Sequence, residues 1–330
     1  MKKLINKVEN IVEEMVQGIV DSAPDKLAKV DNYNVIYSKT FNKNNVALIS
    51  GGGSGHEPAH AGYVGDGMLT AAVAGSIFTS PTPDMVQAAI NACDSQKGTL
   101  LIIKNYTGDV MNFQMAADMA KMENKNVDYV IVADDVSLIH NKADTGMRGI
   151  AGTVLVHKVT GAKAQTGASL AEVKAVAEKA IKNVGTYGLG LDACIVPAIG
   201  HKGFTLADDE VEMGLGIHGE PGVKKVKIQP VDTFVTEMTE AIIEHLKIQA
   251  NDKVAVLVNG LGATPTMELY IANRKIHEIL KTKNINIVSN FVGNYMTAID
   301  MPGMSISLMK LDDELIELIK ASSDTLAFKV

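Results

Sequence analysis

The chain has 330 residues, 46% of them hydrophobic and 21% charged, which gives room for two ordinary domains and the balance of a folded globular protein. A net charge of -7, with VKKVK at 223–227 as the densest cationic run, argues against a nucleic-acid binder, because the phosphate backbone would be repelled. Two cysteines, Cys93 and Cys194, allow neither a disulfide framework nor a four-cysteine zinc site.

The first segment, MKKLINKVENIVEEM, opens on a basic pair but breaks into helical apolar spacing with Glu and Asn throughout. It lacks the uninterrupted apolar core of a signal peptide, and no apolar run reaches the length of a membrane span, so the expected location is the cytoplasm. VALIS at 46–50 reads as a strand running into the glycine cluster Gly51–Gly53. TLLIIKN at 99–105 reads as a second strand, followed by a helix in which Met111, Met115, Met119 and Met122 recur at helical intervals. These methionines are read as core filler. VDYVIVADD at 127–135 is a third strand, with acids at its C-terminal end. Such strand–helix units, together with 29 glycines, 5% aromatics and no Trp, suit an open sheet with tight βα turns and sites at the strand ends.

After Asp144 the pattern becomes one long helical stretch over 149–184, containing the capping-box signature Ser169 to Glu172. YGLGLDACIVPAI at 187–199 returns to strand character, and EVEMGLGIHGEPG at 210–222 reads as a strand entering a loop. An amphipathic helix over 231–248, a strand, loop and helix over 253–280, and late strands INIVSNFVGNYM and SISLMKL complete the chain. The fold expected is α/β in two domains, each a largely parallel or mixed sheet flanked by helices. Their boundary is placed near 182–186, giving domains of 1–183 and 184–330.

Three segments stand out chemically. SGGGSGHEP after the first strand has the glycines of an anion-cradling loop, but no G-x-x-x-x-G-K-[ST]. The alternative is a tight structural turn, and the adjacent His56–Glu57 pair favours a ligand site. His56 and His60 have the i, i+4 spacing of a zinc helix, yet Pro58 lies between them and disfavours a helix there, which sets a metal aside. KNYTGDVMNF puts Lys104 and Asp109 where a strand gives way to a helix, so Asp109 is either a capping acid or a general base. GLGIHG formally fits G-x-G-x-x-G at Gly214, Gly216 and Gly219, but Pro221 comes soon after and the motif opens no helix, which counts against a dinucleotide-binding oxidoreductase. His140, His157, His201, His245 and His277 are read as carrying no chemistry.

GGGSGHEP, IFTSPTPD at 77–84, LLIIKNYTGDVMNF, FTLADDEVEMGLGIHGEPG and NGLGATPTMELY at 259–270 form one set. Together they closely resemble the K subunits of bacterial dihydroxyacetone kinases of the phosphotransferase-system-dependent type, over essentially the whole chain. The resemblance implies that His218 attacks the carbonyl carbon of dihydroxyacetone to give a covalent hemiaminal. It implies that Asp109 is the base for the terminal hydroxyl that receives phosphate. His56 and Lys104 would hydrogen-bond the triose, His56 also counting with His218 and Asp109 among the catalytic groups, and Gly53 would offer its backbone N–H. It further implies a homodimer and no cofactor in this chain: ADP and Mg²⁺ are expected on a separate L subunit, rephosphorylated by a phosphohistidine protein. ATP-dependent relatives fuse a nucleotide-binding domain after this module, and no such domain is expected before Val330. The family also contains paralogues that sense dihydroxyacetone as co-activators of a transcription regulator, and the presence of Asp109 favours the kinase subunit over them.

Overall fold

A computed structural model describes residues 2–139, 146–219 and 222–330. Its elements in chain order are α1 (Ile11–Ser22), β1 (Leu27–Lys29), β2 (Val35–Ser38), β3 (Ala47–Ser54), β4 (Ala71–Ile77), α2 (Pro83–Cys93), β5 (Thr99–Lys104), α3 (Thr107–Met122) and β6 (Val127–Val132). Then come α4 (Thr153–Gln165), α5 (Leu170–Lys182), β7 (Val184–Gly190), β8 (Glu210–Met213), β9 (Lys224–Lys227), α6 (Val231–Leu246), β10 (Lys253–Gly260), α7 (Thr266–Thr282), β11 (Asn286–Gly293), β12 (Gly303–Leu311) and α8 (Asp313–Lys320). No described helix is long and apolar enough to cross a membrane.

The chain divides into two compact units, neither of them continuous in sequence. One holds residues 2–132, 156–179 and 320–330; the other holds 133–155 and 180–319. The boundary expected near 182–186 lies close to the crossing after residue 179. Residues 133–155 nevertheless go with the later sheet and residues 320–330 with the earlier one.

In the first unit the sheet runs β1-β2-β4-β3-β5-β6. Strands β4, β3, β5 and β6 are parallel, and β2 and β1 add an antiparallel edge. The continuous aliphatic runs of β3 and β5 are buried along their full length, as a strand covered on both faces requires. Helix α2 starts with proline in its first turn, where no N–H is lost. Helix α3 packs through Phe113, Ala116, Ala117 and Ala120. Its methionines lie on the other face: Met111, Met115, Met119 and Met122 are 60%, 53%, 39% and 83% exposed, so they are not core filler. Periodicity marked a stripe, but small alanines form the face that lets this helix approach the sheet.

The second unit carries the order β11-β10-β12-β7-β8-β9. Only β10 and β11 pair in parallel; the other pairs are antiparallel, so this sheet too is mixed. Its core gathers Phe234, Met238 and Ile242 of α6, Leu269 and Ile276 of α7, and Val256, Ile306 and Leu308 of the strands. The helical stretch expected over 149–184 is two helices. Gly167, at φ +77°, breaks it, and a capping box restarts it. The Ser169 amide donates to the Glu172 carboxylate at 2.8 Å, and the Glu172 amide donates back to Ser169 Oγ at 3.4 Å.

Candidate functional site

Four expected site residues come together in the first unit. Gly51–Gly53 are not a loop but the last part of β3, hydrogen-bonded to β4. Their missing side chains make space for neighbours. A Cβ on Gly52, whose φ is +150°, would lie 2.7 Å from Lys104 Nζ and 3.2 Å from Asp109 Oδ2. A Cβ on Gly53 would strike the backbone of Phe78 and Thr79. Only glycine lets the β3 backbone run this close to a lysine and a carboxylate.

Lys104 ends β5 and Asp109 stands in the first turn of α3, where the helix dipole favours an anion. Both side chains are buried, with Lys104 Nζ 3.5 Å from Asp109 Oδ2. The Lys104 ammonium also lies 5.2 Å from the centre of the Tyr106 ring. His56, just past β3, is buried and stacks on Phe78 with ring centres 5.1 Å apart. Glu57 accepts the Gly55 N–H at 3.1 Å, and burial holds its carboxyl above the usual range.

Behind these groups lie two histidines whose surroundings the sequence did not disclose. His60 and His157 are buried, with His60 Nδ1 3.0 Å from His157 Nε2. Ser50 Oγ donates to the Ile102 carbonyl at 2.7 Å, so towards His60 Nδ1, 3.4 Å away, it can only accept. Burial and the charge of Lys104 hold both imidazoles uncharged: His60 well below its ordinary value, His157 down to about 3. His157, expected to do no chemistry, is a buried residue of α4 that meets His60 in the interior. His140 and Pro221 lie outside the described residues.

His218 belongs to the second unit. Strand β8 ends at Met213 and the chain turns at Gly214, whose φ is +71° and whose N–H donates to the Gly188 carbonyl at 2.8 Å. Leu215 and Ile217 are buried, Leu215 against Gly188 and Gly190, while His218 is half-buried. The loop closes where the Gly222 N–H donates to Glu212 Oε1 at 2.9 Å and the Val223 N–H to the Met213 carbonyl at 2.8 Å. Strand β9 comes next, so GLGIHG opens no helix. It lacks the strand-to-helix turn on which a dinucleotide fingerprint depends.

The second unit also holds a buried acid at the start of α4. Asp134 accepts the N–H groups of Ile150 and Gly152 at 2.7 and 2.8 Å, yet burial pushes its carboxyl up to about 6. Between pH ~4 and ~6 the folded chain therefore keeps a proton that the unfolded chain has lost. Stability should fall as pH rises through that window, by on the order of 2–3 kcal/mol for this group. Urea unfolding at pH 4.5 and 6.5 checks it: the wild-type slope between these values should be flattened in Asp134→Asn. Equal slopes would rule out Asp134 as the group responsible.

Residues 17–327 match the family model of the Dak1 domain. The chain belongs to the Dak1 family. It is 50% identical over 329 residues to the dihydroxyacetone-binding subunit DhaK of PTS-dependent dihydroxyacetone kinase 1 from Listeria innocua, covering 99% of this chain and all of that one. The dihydroxyacetone kinase operon co-activator Dha-DhaQ superposes with a TM-score of 0.91 at 36% identity, covering 96% of this chain and 97% of that one. The dihydroxyacetone kinase of C. freundii, in complex with AMP-PNP and Mg²⁺, also superposes with a TM-score of 0.91 at 36% identity. That match covers 99% of this chain and 61% of the kinase.

Proposed function

We propose that this Dak1-family chain is the dihydroxyacetone-binding subunit of a phosphoenolpyruvate-dependent dihydroxyacetone kinase. The observation that carries the reading is the buried Lys104–Asp109 pair against side-chain-free β3 backbone. In this reading the carboxylate serves as the base and the ammonium beside it binds an oxygen of the three-carbon substrate. Full-length identity to a subunit named for that ligand supports the same assignment.

In this reading a lone pair on the His218 imidazole adds to the ketone carbon. The carbonyl oxygen gains a proton as the ring loses its N–H proton, giving a hemiaminal with no loss of water. A triose has little surface to bury, so a covalent bond supplies affinity that contacts alone cannot, and it rejects glycerol, which has no electrophilic carbon. His56, Lys104 and the Gly53 N–H bind the triose oxygens. Asp109 takes the proton of the terminal hydroxyl as that oxygen attacks the terminal phosphorus of the recharged nucleotide, whose bond to ADP breaks so that ADP stays on the partner. The nucleotide and Mg²⁺ come with an ADP-carrying L subunit, recharged by a phosphohistidine protein, and they supply the charge neutralisation that phosphoryl transfer needs.

The co-activator likeness keeps one rival, a triose sensor without catalysis. The presence of Asp109 supports the kinase reading over the sensor, since a sensor needs no base. The division of labour makes a direct prediction: isothermal titration of the isolated chain with ATP should show no binding. Micromolar affinity would overturn it.

A further inference from the structure

The loop bearing His218 is held from outside by residues that no motif marked. Arg148 donates from Nη2 to the Gly214 carbonyl at 2.9 Å, at the point where the chain turns out of β8. The same guanidinium grips Asp135 with two nitrogens, Nε at 2.7 Å and Nη2 at 2.6 Å from Oδ2. The other Asp135 oxygen accepts the Ser137 hydroxyl at 2.6 Å and the Ser137 N–H at 3.1 Å. Asp135 is fully buried and Arg148 is nearly so. The backbones are joined as well, the Asp135 N–H donating to the Arg148 carbonyl at 3.0 Å. Gly214 cannot take a side chain here, because a Cβ would lie 2.9 Å from Ser137 Cβ. A buried ion pair contributes little to stability against apolar residues of the same volume, but it fixes geometry because a planar fork has one good orientation.

We propose that Arg148, oriented by Asp135, is a positioning residue for the substrate bond: by fixing the Gly214 carbonyl it sets where the His218 imidazole meets the ketone carbon. The inference rests on the reading of His218 as the nucleophile. In this role Arg148 acts through the loop from Gly214 to His218 and not on the reacting atoms. Its effect should therefore appear in how readily the adduct forms, and not in the later phosphoryl transfer, which depends on Asp109.

Arg148→Lys tests this, since an ammonium can still pair with Asp135 but has no second arm in the guanidinium plane for the Gly214 carbonyl. The dihydroxyacetone concentration that half-saturates the adduct, read by intact mass spectrometry, should rise about tenfold or more. Turnover at saturating triose, with the L subunit and phosphohistidine donor present, should stay within about twofold. A purely structural role would lower the melting temperature and leave half-saturation where it was, which overturns the proposal. So does an equal fall in both kinetic parameters. Should Arg148→Lys not fold, Asp135→Asn is read in the same way, because it keeps the shape and releases the guanidinium. His218→Ala runs alongside: if it still carries the adduct, the nucleophile reading has failed and the positioning role with it. If it loses the adduct while Arg148→Lys forms it at wild-type concentrations, only the positioning role has failed.

Discussion

His218→Ala, incubated with dihydroxyacetone, should show a single species of unchanged mass, whereas the wild-type chain gains the mass of one whole triose. The whole mass matters. A Schiff base on a lysine would lose a water, and addition to imidazole does not. The mutated side chain is half-buried on a loop fixed at both ends by backbone hydrogen bonds, so circular dichroism should remain that of the wild type. Without the covalent bond, a ligand of roughly six heavy atoms is left with few contacts, and its affinity should fall by orders of magnitude. An adduct of unchanged abundance on the variant would show that another group is the nucleophile.

Asp109→Asn separates binding from transfer. The amide keeps the size of the carboxylate but cannot take up the hydroxyl proton, so phosphorylation should drop about 100- to 10,000-fold while the adduct still forms. The change also leaves Lys104 buried without its anion, at a cost of about 3–5 kcal/mol in stability. Adduct formation and turnover should therefore be measured well below the lowered melting temperature. A variant with near wild-type turnover would remove Asp109 from the chemistry and raise the sensor reading.

Where the candidate site residues lie in the fold could largely be read in the sequence, because they sit where local pattern is strong. Continuous aliphatic runs mark β3 and β5, and the residues just after each run must lie at the end of a parallel strand. The capping box at Ser169 and Glu172 is a local feature and formed as read. The features that escaped detection depend on partners far along the chain. Gly51–Gly53 have the composition of a loop, but they extend β3 because β4 and the Phe78–Thr79 turn press against them. His157 looked like an ordinary helical residue until His60, 97 positions away, was brought to 3.0 Å. Arg148 stands outside every motif in the sequence, and its proposed role depends on β8 delivering the Gly214 carbonyl to it. The methionines of α3 had the right period for a core, but period alone does not tell which face meets the sheet.

In the proposed division of labour this chain binds the acceptor and a second protein presents the phosphate. Its most direct test is reconstitution: the chain, dihydroxyacetone and Mg²⁺ with an ADP-loaded L subunit and its phosphohistidine donor, with dihydroxyacetone phosphate as the readout. Product should form only when all components are present, with none from the chain and ATP alone, and about 100- to 10,000-fold more slowly when Asp109→Asn replaces the wild type. Product from the isolated chain and ATP, or its absence from the complete mixture while the adduct forms normally, would contradict the claim.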